Sequence, residues 1–197
     1  MAISLSKGQK ISLSKAGGDG LSVVAFGVGW DVRKSGGFLK GLLGGGNDSI
    51  DLDASCLVYA GRDMVDAVWF RQLRSQDGSI LHSGDNRTGE GDGDDETIVV
   101  RLSDLPANVD TLVLTVNSFT GEAFDRVDNA YCRAYDHNSG TELGRISLSE
   151  AGPHTGLVLG AVRRTGSTWE FKAIGERATG RTFHDMSGQL DRIVSSY

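Results

Sequence analysis

Short apolar runs separated by turn residues are the feature of this sequence that most constrains its fold. The runs are rich in Val, Ile, Leu and aromatic residues, and they recur along most of the 197-residue chain. No long stretch shows the 3.6-residue period of an amphipathic helix, whereas a βαβ fold requires helices of about 10–15 residues between its strands. We therefore predict an all-β protein, a β-sandwich of about nine to eleven strands with short peripheral helices.

The first two runs show the expected strand pattern. Ile3–Ser6 and Ile11–Ser14 both read ISLS, which alternates apolar and polar residues, and Lys7–Lys10 separates them. This pattern predicts a β-hairpin. The other predicted strands cover residues 21–30, 52–60, 67–72, 97–102, 111–119, 130–136, 142–148, 157–163 and 168–174. Short helices are predicted at residues 124–127, 147–151 and 185–194.

One segment departs from this pattern. Arg33–Asn47 is rich in glycine, yet it carries Phe38 and three leucines. Two interpretations stay open: a flexible loop whose apolar residues fold back on the sandwich, or an exposed apolar tip that docks on a partner or a bilayer. We treat residues 33–50 as an insertion loop within one domain that spans residues 1–197, because this length suits a single domain.

The net charge limits the partners of the chain. There are 20 Lys and Arg residues against 26 Asp and Glu residues, which gives a formal charge of −6. Nucleic acids and anionic membrane surfaces attract clustered basic residues, so an acidic chain disfavours both. The N-terminus lacks the apolar core of a signal peptide, and no apolar run is long enough to span a bilayer. We expect a cytoplasmic protein.

The acidic residues are concentrated in one loop. Between Gly84 and Glu96 there are six carboxylates, one arginine and four glycines. Glycine lets the backbone curl tightly, and carboxylates about 5 Å apart repel by roughly 1 kcal/mol in water and more in a protein. Such a loop is either solvated and disordered or closed around a cation, and the glycine spacing favours the cation. The candidate ligands of this loop all offer oxygen atoms, which indicates Ca²⁺ rather than zinc or copper.

A second acidic group lies earlier in the chain. Asp51, Asp53 and Ser55 alternate along a predicted strand, so their side chains share one face. Asp31 ends the preceding apolar run. We expect Asp31 and Asp53 to meet the Gly84–Glu96 loop at one end of the sandwich. Neither acidic run has the spacing of an EF-hand, which requires Gly at loop position six and Glu at position twelve.

Together these motifs resemble the TerD family of tellurium-resistance and general stress proteins. The segments that carry the resemblance are Gly29-Trp30-Asp31, DLDAS at Asp51–Ser55, GDNRTGEGDGDDE at Gly84–Glu96, the N-terminal SLSKG and ISLSKA, and DNAYCR at Asp128–Arg133. They occur in order over nearly the whole chain. The insertion at Arg33–Asn47 is similar to that of the longer TerZ-like or TerX-like members.

The resemblance implies a calcium-binding β-sandwich of the bacterial cytoplasm that acts in stress response and tellurite resistance. It also implies partners, namely other tellurite-resistance proteins and a membrane-embedded TerC-type protein, which would bring the chain to the inner face of the membrane. We therefore expect a calcium-dependent sensor or interaction module without enzymatic activity. The competing interpretation is a metal-dependent hydrolase that uses the same carboxylates. The oligomeric state is left open.

The candidate metal ligands follow from the residues and the resemblance together, and they are numerous enough to hold two Ca²⁺ ions that share carboxylates. They are Asp31, Asp51, Asp53, Asp85, Asn86, Gly89, Gly91, Asp92, Asp94, Asp95 and Glu96. The leading candidates are Asp85, Asp94, Asp95 and Glu96, and the glycines would contribute backbone carbonyls. Asn117 and Asp128 are weaker candidates, since polar residues at strand ends are commonly satisfied by backbone groups.

Overall fold

Two six-stranded sheets pack face to face in the computed structural model, which describes residues 3–14, 20–32, 50–86, 88, 93–148 and 152–196. Within these residues the strands are β1 Ile3–Ser4, β2 Lys10–Ser12, β3 Val23–Val32, β4 Leu52–Ala60, β5 Asp63–Val68, β6 Ile80–His82, β7 Glu96–Arg101, β8 Thr111–Ser118, β9 Val127–Asp136, β10 Glu142–Ser147, β11 Gly156–Thr165 and β12 Thr168–Ala178. The predicted β-sandwich is confirmed, with twelve strands in the described residues rather than the nine to eleven expected.

The first sheet has the strand order β1-β10-β9-β3-β7-β6, and the second has the order β2-β12-β11-β8-β4-β5. Helical structure is short and peripheral. A 3₁₀ turn covers Phe124–Arg126, a second covers Phe183–Met186, and α1 follows it at Ser187–Ser195. The helical turns predicted near residues 124–127 and 185–194 are therefore confirmed.

The predicted N-terminal hairpin is wrong. β1 pairs in parallel with β10, with Ile3 opposite Gly144, whereas β2 pairs with β12 in the other sheet, with Ile11 opposite Phe171. The link between them therefore crosses from one sheet to the other. Leu5 and Leu13 are both buried in the shared core. Alternation identifies a strand with one buried face, but it does not identify the strand's partner.

Other boundaries differ from the predictions in ways that turn chemistry explains. The strand predicted at residues 67–72 lies earlier, as β5, because Trp69 and Gln72 exchange backbone hydrogen bonds and close a tight turn. Residue 147 ends a strand rather than starting a helix, and residues 149–151 lie outside the described residues. Residues 33–49 also lie outside them, so both interpretations of the insertion stay predictions.

The core lies between the two sheets, and a second apolar layer covers the outer face of the second sheet. In β4, Leu52, Ala54, Cys56 and Val58 face the core between the sheets. Leu57 and Tyr59 instead pack beneath α1, together with residues of β8, β11 and β12. Since side chains alternate across a strand, Asp53 and Ser55 lie on the same outer face as Leu57. The acidic end of β4 is thus continuous with the layer that α1 covers.

Candidate metal centre

Three carboxylates converge at the beginning of β4. Asp51 immediately precedes the strand, Asp53 is its second residue, and Asp85 lies in the loop that follows β6. Each offers one oxygen, and these oxygens all lie within 4.8 Å of one another. Asp51 and Asp53 are buried, whereas Asp85 is exposed. The structure therefore brings the second acidic group to the acidic loop at one end of the sandwich.

Asp53 is the most perturbed acid of this group. Its side chain is 4 % exposed, and its Oδ2 has no hydrogen-bond partner among the described residues. Burial, and then the charges of Asp51, Glu96 and Asp85, raise the pKa of Asp53 from 3.8 to about 8. Burial removes hydration from the carboxylate, and neighbouring like charges repel it. A bound cation would offset both effects.

Glu96 and His82 join the two sheets beside this group. Glu96 is fully buried; its Oε2 accepts the Ala54 N–H at 2.7 Å and its Oε1 accepts the Asn86 N–H at 3.2 Å. The Nε2 of His82 lies 3.2 Å from the Ala54 carbonyl oxygen, and its Nδ1 accepts the Gly84 N–H. These two side chains satisfy the backbone of β4 where β5 does not pair with it. Glu96, a leading predicted ligand, is thus engaged by two backbone donors.

Asp95 and Asp31 lie outside the three-carboxylate group. Asp95 accepts the Trp30 N–H and an Asn86 Nδ2–H bond, both at 2.9 Å. Burial raises the pKa of Asp95, and the nearby charge of Asp31 adds to that rise. Asp31 itself accepts a hydrogen bond from Asn129 Nδ2 at 2.8 Å. The two carboxylates form a separate acidic pair at the end of β3.

Asp94 is held by an arginine on the outer face of the first sheet. Arg133 donates from Nε at 2.8 Å and from Nη2 at 2.9 Å to the two carboxylate oxygens, and Tyr131 donates from its hydroxyl at 3.0 Å. The loop lies so close to β3 that a Cβ on Gly27 would be 2.0 Å from Asp94 Oδ2. Asp94, another leading predicted ligand, therefore anchors the acidic loop to the sheet.

Three predicted ligands, Gly89, Gly91 and Asp92, lie outside the described residues. Of the others, Asp51, Asp53 and Asp85 converge on one point. The remaining five make hydrogen bonds to other protein groups: Glu96 and Asp95 accept backbone N–H groups, Asp31 and Asp94 bind the side chains of Asn129 and Arg133, and Asn86 donates to Asp95.

The three converging carboxylates fit a calcium ion. Ca²⁺ binds oxygens at about 2.3–2.6 Å, so two ligands on opposite sides of the ion are about 5 Å apart at most. The separation of up to 4.8 Å between the three aspartate oxygens is within this limit. The unpartnered Asp53 Oδ2 is an oxygen whose burial is unfavourable without such a ligand.

The comparisons with known proteins place the chain in a family. The TerD domain matches residues 1–189. This chain belongs to the TerD family. Tellurium resistance protein TerZ of Serratia marcescens is 52 % identical over 193 residues, which cover 98 % of each chain. Stress response protein SCP2 of Bacillus subtilis is 41 % identical over an alignment of 207 positions, gaps included, which covers the whole of both chains.

A solved structure confirms the TerD fold. The crystal structure of a homologue of telluride resistance protein (TerD) from Streptomyces coelicolor A3(2) has a TM-score of 0.68 to this chain, with 22 % sequence identity. The match covers 89 % of this chain and 98 % of the other. At this identity the similarity shows the fold alone. Among the described residues, none of the helices has the length and apolarity needed to cross a membrane.

The sequence alone does not identify several residues that contact the acidic side chains at this end of the sandwich. Tyr131 and Arg133 alternate along β9 and share its outer face, and Asn129 lies at the irregular pairing of β9 with β3, where its φ is +52°. The DNAYCR motif contains all three residues, but the sequence does not predict their contacts with the acidic side chains. His82 gave no signal, since it stands alone in the sequence. Its role depends on β6, a strand of three residues that is too short for pattern-based prediction.

Proposed function

We propose that this TerD-family chain is a calcium-binding protein of tellurium resistance and stress response, in which Ca²⁺ orders the acidic end of the sandwich and thereby controls partner binding. The observation that carries the proposal is the convergence of Asp51, Asp53 and Asp85, with a buried Asp53 oxygen that has no hydrogen-bond partner in the described part of the chain. The names of its relatives support the tellurium-resistance and stress roles.

The donor set favours calcium over other divalent ions. Ca²⁺ accepts six to eight oxygen ligands in flexible geometry, whereas Mg²⁺ requires near-octahedral geometry and retains several waters. Two buried aspartates and one exposed aspartate on a glycine-rich loop suit a large, adaptable ion. A second ion beside Asp31 and Asp95 is part of the same proposal, because burial and neighbouring charge also raise the pKa of Asp95.

A binding role is favoured over hydrolysis. A metal-dependent hydrolase needs a residue that can activate water or protonate a leaving group. Both ring nitrogens of His82, which lies beside the carboxylates, are engaged by backbone groups of Ala54 and Gly84. His82 is therefore held as a structural link. Turnover of phosphoesters or glycosides that is lost in Asp53→Asn would contradict the binding-only proposal.

Calcium binding is tested by calorimetric titration and thermal denaturation of the full chain. A ligand that binds only the folded protein adds about 2.7 kcal/mol of stability at a hundredfold excess over its Kd. We expect Ca²⁺ to raise the melting temperature strongly and Mg²⁺ to raise it much less. Asp53→Asn and Asp85→Asn should lose most of this response. Asp63→Asn, at an exposed acid that begins β5, should keep it. An equal melting temperature in chelator and in millimolar calcium would refute calcium binding.

The cellular part of the proposal has its own test. Cells that lack this protein should regain tellurite resistance when they express the wild-type chain or Asp63→Asn, but not when they express Asp53→Asn at the same level. Partner binding is tested with a purified TerC-type protein in detergent, with and without calcium. Binding that does not depend on calcium would contradict the sensor role while leaving calcium binding itself intact.

A further inference from the structure

We propose that Asn117 is a further ligand of this metal centre and that it connects the ion to the C-terminal helical segment. The proposal rests on the calcium site proposed above. Asn117 lies on β8 directly opposite Asp53 of β4, and cross-strand partners point to the same face of a sheet. The carboxamide of Asn117 and the carboxylate of Asp53 are therefore neighbours on the outer face of the second sheet.

The orientation of the Asn117 carboxamide is set by its nitrogen. Nδ2 donates to the Gly180 carbonyl oxygen at 3.2 Å and lies 3.1 Å from Met186 Sδ. It also lies above Gly156, the β11 residue opposite Asn117, where a Cβ would be only 2.7 Å away. Two acceptor oxygens at this distance would repel each other, so the nitrogen is the arm that faces Gly180 and β11, although the Gly180 oxygen also accepts a bond from Thr155 Oγ1 at 3.2 Å. The two arms of a carboxamide diverge, so Oδ1 faces the opposite neighbour, β4.

The Asn117 oxygen has no partner of its own. The side chain is 1 % exposed, and Oδ1 has no hydrogen-bond partner among the described residues. The same holds for Oδ2 of Asp53. Two buried oxygens on directly opposed residues, neither of them with a donor, form an arrangement that a shared cation satisfies. Asparagine carbonyls are among the oxygen ligands that Ca²⁺ accepts in proteins.

The same side chain joins the ion to the C-terminal segment. Gly180 lies three residues before the 3₁₀ turn at Phe183–Met186, Met186 is the last residue of that turn, and α1 continues directly from it. An ion that holds Oδ1 therefore also fixes Nδ2 against this segment. Calcium binding is expected to reduce backbone amide exchange at residues 180–186, which lie on a different part of the chain from the three aspartates.

The test compares substitutions that separate the oxygen from the nitrogen. Asn117→Ala removes both, whereas Asn117→Asp keeps an oxygen and loses the donor to Gly180. By calorimetric titration we expect Asn117→Ala to bind Ca²⁺ at least tenfold more weakly than the wild type, and Asn117→Asp to bind within threefold of it or more tightly. Thr111→Ala serves as the control, since Thr111 is a buried polar residue on the same face of the same strand, six residues away. The calcium affinity of Thr111→Ala should equal that of the wild type.

Several results would overturn the inference. Equal loss of affinity in Asn117→Ala and Asn117→Asp would show that Asn117 acts through its bond to Gly180. Unchanged affinity in Asn117→Ala would show that it is not a ligand. Asn117→Leu repeats the measurement with the side-chain volume retained, in case the alanine variant does not fold. Absence of calcium binding by the wild-type chain would instead refute the proposed function itself. Hydrogen exchange should show that the calcium-induced protection of residues 180–186 is lost in Asn117→Ala and kept in Thr111→Ala.

Discussion

Replacing Asp53 with asparagine removes one negative charge from the metal centre and preserves the size of the side chain. In the metal-free protein this charge is unfavourable, because Asp53 is buried and its Oδ2 has no hydrogen-bond partner among the residues that the structure describes. Asp51 and Asp85 lie beside it. We therefore expect Asp53→Asn to stabilise the metal-free protein while it weakens calcium binding, so that the sign of the effect on stability depends on the ion.

The pKa of Asp53 sets the size of this effect. A rise from 3.8 to about 8 corresponds to an upper bound of about 6 kcal/mol, at about 1.4 kcal/mol for each pKa unit. Asp85 is exposed, so solvent screens its charge and its loop can move away. Because effective dielectric constants in proteins are near 20, we expect about 2–3 kcal/mol of stabilisation at pH 8.

The direction of the pH dependence follows from proton binding. Between about pH 4 and pH 8 the folded wild-type protein holds a proton on Asp53 that the unfolded chain releases. Stability therefore falls as the pH rises through this window. Asparagine does not titrate, so the Asp53→Asn variant should lose most of this slope. Below about pH 4 the two proteins should differ little, because Asp53 is protonated in both the folded and the unfolded wild-type chain.

The assay is urea denaturation in a chelating buffer at pH 5, 6, 7 and 8, repeated in millimolar calcium. Asp63→Asn, which removes an exposed acid, is the control and should change the free energy of unfolding by less than about 0.5 kcal/mol at every pH. The reasoning is refuted if Asp53→Asn is less stable than the wild type in chelator at pH 8, or if both proteins show the same pH dependence. Either result would mean that Asp53 is well accommodated as an anion without a metal.

Three further predictions concern the residues around the centre. In a double-mutant cycle, the unfolding free energies of Asp94→Asn, Arg133→Gln and the double variant should give an interaction free energy of about 1–3 kcal/mol between the two side chains, because this ion pair is bidentate and partly buried. An interaction free energy near zero would contradict the anchoring role of Asp94. Glu96→Ala should lower the free energy of unfolding by about 2–4 kcal/mol in urea, since it leaves the buried Ala54 N–H without its acceptor, and a loss below about 1 kcal/mol would refute the link between sheets. Gly27→Ala should displace the loop that carries Asp94 and weaken calcium binding several-fold by calorimetry, whereas unchanged affinity would show that the loop adjusts at no cost.

The fold was largely predictable because its signal is local. Runs such as Leu52–Ala60 and Thr111–Ser118 coincide with strands, since β-branched and aromatic residues bounded by turn residues favour extended backbone. The pairing of the N-terminal segments was not predictable. The alternation of Ile3–Ser6 and Ile11–Ser14 suits any strand with one buried face. The two segments lie in different sheets because they pair with β10 and β12, which are distant in the sequence.

The candidate site was predictable as a set of residues but not as a set of roles. Alternation along β4 correctly placed Asp53 and Ser55 on one face, and Asp85 of the Gly84–Glu96 loop lies beside Asp53 at that end of the sandwich. Asp94 and Glu96 look like strong ligands in sequence because their type and neighbours resemble those of Asp85. Their partners, Arg133 and the Ala54 N–H, come from distant strands, so contacts formed only on folding assign the roles.

By itself, the sequence determined the β-sandwich, the TerD family and the concentration of carboxylates at one end, because each of these depends on residue type and local spacing. The tertiary structure decided which acids converge and which are neutralised by other groups. Asp51, Asp53 and Asp85 lie together because the start of β4 meets the loop after β6. Asp94 lies apart because Gly27 and Gly29 of β3 leave room for Asp94 and for the Gly93 carbonyl, which brings the loop within reach of Arg133. Carboxylate chemistry is the same at every position, and burial and partners contributed by distant strands make these residues different.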